Sequence, residues 1–387
     1  MKISHICLCG PYTDGWNYQE NLITKYQVKN GYDVSIIASQ YEWGNEGKII
    51  KNESTEYVNN DNCKVYRLKI KEQKDINYKF KHFFNIYETL EKISPDILFI
   101  HNVQFLDIKK IVKYAKKHSV KIFIDNHADF SNSGKNILSK YILHGIIWKH
   151  MAKIIEPYTT KFYGVLPARV DFLKNIYKLP PEKCELLVMG ADDELIEKYS
   201  DKDTRKKERE NLKLYKDDFV IVTGGKIDKA KLQTLLLMEA VKSIENQKIK
   251  LLIFGSVEEE IKTKFNSLCD GKKIQYLGWA NEEQSYKYFS IADLVVFPGR
   301  HSVYWEQVVA MGIPMLCKHW AGTQHIDIGG NVRFLKEDSV KEIKKYFEDI
   351  FFNKKVYKDM RYNAAKEEKC KFLYSEIAEK SISEDKK

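Results

Sequence analysis

Short apolar runs alternate along this chain with longer segments in which apolar residues recur at helical spacing. Such runs are typical of strands buried on both faces, and the segments between them are typical of helices that cover a sheet. The runs predict strands at residues 3–9, 32–38, 63–70, 96–101, 121–125, 162–166, 184–189, 219–223, 250–254, 274–277, 291–297, 315–317 and 332–335. Helices are predicted at 17–30, 80–93, 107–117, 139–153, 232–244, 284–291 and 308–311, with further helices from about residue 339. Because strands and helices alternate, we predict an α/β protein with two similar, doubly wound halves.

Two stretches lack this alternation. Residues 41–62 are mostly polar and predict a loop. Residues 201–211 are rich in charge without an apolar stripe, which predicts a linker or a solvated helix. The second stretch therefore marks the boundary between the two halves.

In the first half, two segments that follow strands are candidates for chemistry, because the carboxyl ends of parallel strands are where such sheets bind ligands. The first strand opens into a turn that contains Gly10, Asp14 and Gly15, where the glycines have either a ligand role or only a steric one. His127 follows the strand 121–125. It either contacts a substrate hydroxyl, as a hydrogen-bonding group or a base, or satisfies a nearby carbonyl.

In the second half, glycine and lysine follow the strand 219–223. Gly225 lets the backbone approach a ligand, and Lys226 and Lys231 are placed to reach one pyrophosphate; the alternative is that both are solvated turn lysines. The next two strands also end at small residues, which either face a nucleotide or only form turns. These residues are Gly255, Ser256 and Gly278.

The segment 298–307 carries the most information. It follows an apolar run and leads into the predicted helix 308–311, whose first amides point toward a ligand. Arg300, His301 and Ser302 fill the turn. Glu306 and Gln307 stand at the predicted helix start, where they either grip hydroxyls of a sugar or ribose or satisfy local amides.

Composition narrows the class of protein. The 387 residues suggest two domains, and a net charge of +10 is too modest and too dispersed to indicate nucleic-acid binding. The seven cysteines follow no metal or disulfide spacing, so we expect reduced thiols in a cytoplasmic protein and no metal site. The sequence shows neither a signal peptide nor an apolar run long enough to span a bilayer.

One region is locally basic. Residues 109–183 hold 15 Lys and Arg against 5 Asp and Glu, and 139–153 is an amphipathic segment with aromatics and lysines. Such a segment fits an anionic membrane surface, or it is an ordinary half-buried helix with a solvated basic face. Peripheral contact with the inner face of the cytoplasmic membrane therefore stays open.

The ordered set of motifs resembles the retaining GT-B glycosyltransferases of the family 4 type, and the resemblance covers most of the chain. It rests on residues 10–15, 31–34, 125–127, 225–226, 231, 255–256, 277–279, 292–298, 310–314 and 322–323. It implies the GT-B fold, in which two Rossmann-like domains face each other across a cleft. The implied acceptor-side domain is 1–200, followed by a linker at 201–216, a donor-nucleotide domain at 217–365 and a C-terminal helix at 366–387 that packs back on the first domain.

The resemblance also implies roles for the candidate residues. Lys226 and Lys231 would hold the diphosphate of a UDP- or GDP-linked sugar, with no cofactor and no metal, and His127 would lie on the acceptor side. The family's Glu-x7-Glu signature is altered here. Its second position falls on Glu306, which has the carboxylate, or on Gln307, which the spacing to Gly312 favours, and the position eight before Gln307 is Gly299 rather than Glu. The remaining donor-side candidates are Gly225, Gly255, Ser256, Gly278, Arg300, His301 and Ser302, and the acceptor-side candidates are Gly10, Asp14 and Gly15.

The function implied is that of a metal-independent hexosyltransferase. It would move a sugar, with retention, to a saccharide or lipid-linked saccharide in the synthesis of capsule, O-antigen or another cell-surface polysaccharide. Two alternatives remain: a nucleotide-sugar epimerase of the same architecture, and a catalytically inactive protein that binds nucleotide-sugars within an assembly complex.

Overall fold

The computed structural model describes residues 1–44, 48–71, 80, 82–134, 136–229 and 232–384. The chain forms two compact units. Unit 1 contains Met1–Met189 and Tyr374–Lys387, and unit 2 contains Gly190–Leu373. The first unit thus ends before the predicted boundary at residue 200, and the segment predicted as a linker lies within unit 2.

Sixteen strands are found in the described part of the chain. They are β1 Lys2–Cys7, β2 Asp33–Ser39, β3 Tyr41–Trp43, β4 Ile49–Lys51, β5 Glu56–Val58, β6 Lys64–Leu68, β7 Ile97–His101, β8 Lys121–Asn126, β9 Thr159–Gly164, β10 Cys184–Leu186, β11 Phe219–Gly224, β12 Ile249–Phe254, β13 Ile274–Tyr276, β14 Leu294–Phe297, β15 Met315–Lys318 and β16 Val332–Leu335. Most of them lie at or within a residue or two of the predicted apolar runs.

The α-helices are α1 Gln19–Lys29, α2 Ile86–Ile93, α3 Ile108–His118, α4 Lys149–Ile155, α5 Pro167–Asn175, α6 Asp193–Ser200, α7 Lys202–Asn211, α8 Gln233–Lys242, α9 Glu259–Leu268, α10 Glu282–Ser290, α11 Tyr304–Ala310, α12 Val340–Phe352, α13 Lys354–Ala364 and α14 Tyr374–Ser381. A π-helical segment, Leu138–Trp148, runs directly into α4. Short 3₁₀ helices lie at Glu156–Tyr158, Pro181–Lys183, Gln324–Ile326 and Glu367–Phe372.

Unit 1 is built on an eight-stranded sheet with the order β10-β9-β8-β7-β1-β2-β6-β5. Its neighbours pair in parallel except β5 with β6. Strand residues such as Ile100 and Ile124 pack with Ile111 and Trp148 from the covering helices in one buried cluster. This arrangement places the ends of β1, β7 and β8 side by side.

Unit 2 is built on a six-stranded parallel sheet with the order β13-β12-β11-β14-β15-β16. Its core joins strand residues Ile221 and Leu251 to Met238 of α8 and Phe347 of α12. Strand β11 lies between β12 and β14, so the turns that follow these three strands meet at one edge of the sheet. The prediction of an α/β fold with two doubly wound parallel sheets is confirmed.

The prediction of a loop at residues 41–62 was wrong, whereas residues 201–211, predicted as a linker or a solvated helix, form a solvated helix. The predicted loop 41–62 contains the short strands β3, β4 and β5, which are partly or largely exposed and therefore lack an apolar signature. The predicted linker 201–216 contains α7, which is held by arginines instead of an apolar face. Arg205 and Arg209 both bind the Asp293 carboxylate and donate to backbone carbonyls at the end of α10.

Three other boundaries differ. Helix α2 begins at Ile86 rather than at residue 80, because the Phe83 amide is taken by the Asp107 carboxylate at 2.7 Å. Helix α11 begins at Tyr304, four residues before the predicted start. The segment predicted as one C-terminal helix from residue 366 divides into a 3₁₀ helix in unit 2 and α14 in unit 1.

Candidate functional site

A cavity in unit 2 lies at the carboxyl edge of the sheet and joins the turn after β11 to the turn after β14. Its lining residues are Thr223, Gly224, Lys226, Ile227, Thr234, Phe297, Pro298, Gly299, Arg300 and Ser302. Three predicted donor-side residues, Lys226, Arg300 and Ser302, therefore share one cavity. The two turns are far apart in the sequence, and they meet because β11 and β14 are neighbours in the sheet.

Lys226 lines this cavity, and two carboxylates lie near its ammonium group. Its side chain is 59% exposed, and its Nζ lies 3.1 Å from Glu258 Oε1 and 3.5 Å from Asp228 Oδ2. The Glu258 carboxylate, which accepts a hydrogen bond from it, raises the pKa of Lys226. An anionic ligand would have to compete with two carboxylates for this ammonium group. Lys231, predicted to act with it, lies outside the described residues.

The glycines of this edge have structural explanations. Gly225 and Gly255 both have positive φ, and a Cβ on Gly255 would lie 2.0 Å from the carbonyl oxygen of Gly225. The Gly255 amide also donates to the Gly278 carbonyl oxygen at 2.8 Å. Close approach between neighbouring turns thus accounts for Gly255 without a ligand. Ser256 is exposed, and its carbonyl oxygen accepts from the Ile227 amide at 2.8 Å.

Glu306 is fully buried and lies between two histidines. Its Oε1 is 2.9 Å from His301 Nε2 and 2.8 Å from His325 Nε2. Burial opposes the charge, but the two imidazoles outweigh it and lower the pKa of Glu306 to about 2. Among the described residues, Oε2 of Glu306 and Nδ1 of His325 have no hydrogen-bond partner although both atoms are buried. We refer to these three residues as the Glu306 cluster.

Gln307 points elsewhere. Its amide nitrogen donates to the Ser285 hydroxyl on α10 at 3.0 Å, and Gln307 is 5% exposed. Glu306 and Gln307 were predicted at a helix start, and both lie near the start of α11, where they have different partners. The role of His325 in this cluster was missed, because the residue lies on the loop after β15 and only the tertiary fold brings it to Glu306.

On unit 1, the turn after β1 is held by a buried arginine. Arg67, whose side chain is fully buried, reaches Asp14 Oδ2 at 3.4 Å and Glu42 Oε2 at 3.0 Å. Asp14 also accepts from the Tyr57 hydroxyl. Gly15 has φ +70°, and a Cβ on Gly10 or Gly15 would meet no described atom within 4 Å. Asp14 is therefore part of an ion-pair network, and open space surrounds the two glycines.

His127 stands at the end of β8 with its side chain 31% exposed. Its Nε2 lies 3.2 Å from Asp125 Oδ2, which also accepts from His101 Nδ1 at 2.8 Å. Asp125 and His101 are buried residues that the sequence analysis did not select as site residues. Their pairing follows from the register of β7 and β8, in which His101 lies directly beside Asp125.

The structure also brings together clusters that the sequence did not indicate. Two groups in the described chain, His101–Asp125–His127 and His301–Glu306–His325, have potential metal-ligand atoms within 4.8 Å of one another. In both groups the carboxylate already accepts hydrogen bonds from the histidines. All seven cysteines are free.

Comparison with known proteins adds to this geometry. Residues 204–367 match the model of the family described as Glycosyl transferases group 1. The matched segment contains the cavity and the Glu306 cluster. A search of curated proteins found no significant match.

Solved structures resemble the whole chain. The structure of Anabaena HepE in complex with UDP aligns with a TM-score of 0.68 and 12% identity over 98% of each chain. The fold is GT-B. A glycosyltransferase from Rickettsia africae aligns with a TM-score of 0.66 and 14% identity, over 98% of this chain and 96% of that chain. WaaG, a glycosyltransferase involved in lipopolysaccharide biosynthesis, aligns with a TM-score of 0.63 and 13% identity, over 98% of this chain and 100% of its own.

Other proteins with a similar fold have a different activity. UDP-GlcNAc 2-epimerase from Neisseria meningitidis, solved with UDP-GlcNAc, aligns with a TM-score of 0.59 and 11% identity, over 99% of this chain and 98% of that chain. At identities this low, the structural similarity establishes the GT-B fold but not the reaction. The reaction has to be inferred from the family match and from the site. Within the described residues, no helix is long and apolar enough to cross a bilayer.

Proposed function

We propose that the protein is a glycosyltransferase that moves a sugar, with retention, from a nucleotide-sugar to a saccharide or lipid-linked saccharide acceptor. The observation that carries this proposal is the match of residues 204–367 to the group 1 glycosyltransferases, a segment that includes the cavity at the sheet edge. UDP is the favoured nucleotide, because the HepE structure holds UDP. GDP is the alternative nucleotide.

In this proposal, unit 2 binds the donor. The diphosphate contacts Lys226, Lys231 and the backbone amides of the two turns, because negative charge grows on the leaving phosphate as the bond to the sugar breaks. Arg300 and Ser302, which line the cavity, contact the phosphate or the sugar. These groups compensate the charge without a metal ion.

Treatment with EDTA is therefore expected to leave transfer unchanged. A loss of activity that divalent ions restore would overturn the proposal that transfer needs no metal ion.

Unit 1 binds the acceptor, and His127 acts on its hydroxyl. The acceptor proton moves to the imidazole as the new glycosidic C–O bond forms. The C–O bond to the leaving phosphate breaks, and its electron pair stays on the phosphate oxygen. We expect His127→Ala to lower transfer more than it weakens nucleotide binding. Equal loss of both would indicate that His127 is structural.

The first experiment is nucleotide binding followed by transfer. Calorimetric titration with UDP, GDP and ADP is expected to show binding of UDP, and a panel of UDP-sugars with saccharide acceptors is expected to yield a glycoside of retained configuration. Binding without transfer across the panel would favour an inactive nucleotide-sugar-binding protein. The absence of binding to any nucleotide would remove the proposal.

The second candidate is an epimerase, which the likeness to the Neisseria enzyme supports. An epimerase interconverts nucleotide-sugars without an acceptor, whereas a transferase needs one. Incubation of UDP-GlcNAc and UDP-glucose with the protein alone, followed by NMR of the sugar, separates the two. We expect no new sugar in the absence of an acceptor.

We further propose that unit 1 docks on an anionic membrane surface, which suits a lipid-linked acceptor and a role in cell-surface polysaccharide synthesis. Large apolar side chains are exposed along the π-helical segment and its approach: Ile137, Leu138, Tyr141, Ile142 and Ile146. Lys140 and Lys153, which flank them, are exposed as well. Apolar side chains beside lysines match the two components of anionic membrane binding, insertion and charge attraction.

Vesicle sedimentation tests this surface. The wild-type protein is expected to bind vesicles that contain phosphatidylglycerol more tightly than neutral vesicles, and Ile142→Asp with Ile146→Asp is expected to abolish binding. Lys262→Glu, at an exposed position of α9, serves as the control and is expected to retain binding. Equal behaviour of the double variant and the wild type would exclude this surface.

A further inference from the structure

A chain of buried hydrogen bonds runs inward from His127 through unit 1. Asp125 joins His127 to His101, and His101 Nε2 lies 3.0 Å from His5 Nδ1. His5 Nε2 lies 2.7 Å from Gln27 Oε1 on α1. Gln27 Nε2 then donates to the Ser381 hydroxyl on α14 at 3.1 Å. Apart from His127, the members of this chain are buried, His101 being the most accessible of them at 7% exposure.

The hydrogen bond made by Ser381, at the inner end of this hydrogen-bonded series, determines which atoms donate and which accept. Ser381 Oγ donates its proton to the Ala378 carbonyl oxygen at 2.7 Å. The hydroxyl oxygen is therefore left to accept from the Gln27 amide nitrogen, which turns Gln27 Oε1 toward His5. Because an amide oxygen only accepts, His5 must carry a proton on Nε2.

Asp125, at the outer end of the hydrogen-bonded series, determines which nitrogen of the His101 ring carries a proton. Asp125 Oδ1 accepts from the Asn102 amide at 3.2 Å, and Oδ2 accepts from the two histidines. A carboxylate only accepts, so His101 must carry a proton on Nδ1. One more proton lies between His5 Nδ1 and His101 Nε2, since two bare nitrogens cannot form a hydrogen bond. The two rings thus share three protons, which is one more than two neutral imidazoles hold.

We propose that the His5–His101 pair holds one buried positive charge that compensates Asp125, and that His5, His101 and Asp125 thereby act as positioning residues for a neutral His127. Asp125 fixes His127 with a proton on Nε2, and Nδ1 of His127, which has no partner among the described residues, keeps its lone pair. The use of that lone pair as the base of transfer rests on the proposed function, whereas the proton count does not.

The surroundings support this distribution of charge. Burial and the neighbouring His101 lower the pKa of His5 to about 3, so the shared charge resides on His101. Burial opposes it there, but the Asp125 carboxylate, assisted by Glu20 of α1, outweighs burial and raises the pKa of His101. Burial likewise opposes the Asp125 charge, and His101 and His127 hold the pKa of Asp125 below its usual range. The neighbouring Cys7 stays neutral because burial raises the pKa of its thiol.

The direct test is NMR of protein labelled with [¹⁵N]histidine, without any substrate. At pH 8 we expect one ring with both nitrogens protonated, which disappears in His101→Gln, and one neutral ring with its proton on Nε2, which disappears in His5→Gln. A spectrum at pH 8 in which all rings are neutral would overturn the proposal. The outcome of this NMR experiment does not depend on whether the protein transfers sugars.

The second test is the pH profile of transfer. His101→Gln removes the charge that compensates Asp125, so we expect the acid limb of the profile to move to higher pH. Turnover at pH 6 then falls at least about fivefold, while turnover at pH 8.5 and the nucleotide affinity change little.

His118→Gln, which removes an exposed histidine paired with Glu91, is the control and is expected to keep the wild-type profile. An unshifted profile in His101→Gln would contradict the positioning role, and if this variant fails to fold, His101→Asn, which also removes the charged ring, is used and the same shift is expected.

Discussion

Glu306 illustrates how one residue can be costly and still stabilise the protein. A buried carboxylate is expensive unless it is paired, and here two imidazoles approach the same oxygen. Because burial and the two histidines together leave the pKa of Glu306 at about 2, below the ordinary value of 4.5, the pairing contributes stability above pH 4.5 that is lost as the pH falls toward 2.

We therefore expect Glu306→Gln to lower the free energy of unfolding at pH 7 by about 3 kcal/mol, because it removes the buried carboxylate that accepts from both His301 and His325. The difference from the wild type should shrink between pH 4.5 and pH 3, where the wild-type advantage is itself being lost. Urea unfolding at both pH values measures this. Glu283→Gln, at a pair with Lys198 that is about half exposed, is the control and should cost less than about 1 kcal/mol.

Lys226 is a residue whose contribution is to binding rather than to stability. Its ammonium is exposed, so Lys226→Ala is expected to leave the melting temperature unchanged and to lower transfer by roughly 10²-fold, the usual effect of removing one group that stabilises a departing anion. Lys229→Ala, which removes an exposed lysine paired with Glu260, is the matched control and should retain activity. Full activity in a Lys226→Ala, Lys231→Ala double variant would exclude the phosphate role of both.

At the scale of elements, the turns after β11 and β12 show that glycine can be required by packing alone. Gly255→Ala would place a methyl group against the Gly225 carbonyl oxygen and force an L side chain to φ +119°. We expect a loss of at least about 2 kcal/mol in unfolding free energy. Gly271→Ala, at φ +69° with no described atom within 4 Å of the new Cβ, should cost only about 1 kcal/mol. Equal losses in a denaturation experiment would contradict the contact.

The burial and contacts of individual elements explain which of them could be predicted from the sequence. Strands such as β7 and β12 were located because parallel strands are buried on both faces and read as continuous apolar runs. Helix α7 was predicted only as one of two alternatives, because arginines, not an apolar stripe, attach it to the rest of unit 2. His127 was predicted from its position after a strand. His101 and His5, which are linked to it through Asp125, lie on neighbouring strands, and the local sequence pattern does not reveal the order of strands within a sheet.

At the scale of the whole molecule, the chain leaves unit 1 after Met189 and returns to it at Tyr374. Helix α14 then packs on α1, with Tyr374, Ile377 and Ala378 nearly or fully buried. Tyr163 of β9 also donates to the Lys380 carbonyl oxygen at 3.0 Å. The last helix of the chain is thus part of the core of the unit that contains the first strand.

Truncation after Leu373 is therefore expected to destabilise unit 1. The deletion uncovers the buried face of α1 and removes the hydrogen bond between Gln27 and Ser381. We expect a fall in the melting temperature of at least several degrees, measured by calorimetry. Truncation after Ile382 should leave it nearly unchanged, because it removes an exposed pair between Lys121 and Glu384 and the local hydrogen bonds from Ser383 to the Lys380 carbonyl oxygen. Identical melting of both truncated forms and the full chain would show that α14 is dispensable.

This return of the chain also has a consequence during translation. Unit 2 is one uninterrupted segment, Gly190–Leu373, so everything it needs is available once that stretch has been synthesised. Unit 1, although it is begun first, waits for residues that the ribosome adds only after the whole of unit 2, a delay of roughly 10–40 s at ordinary elongation rates. The half that is started earlier is thus completed later, and α1 stays uncovered on the nascent chain until α14 has been synthesised.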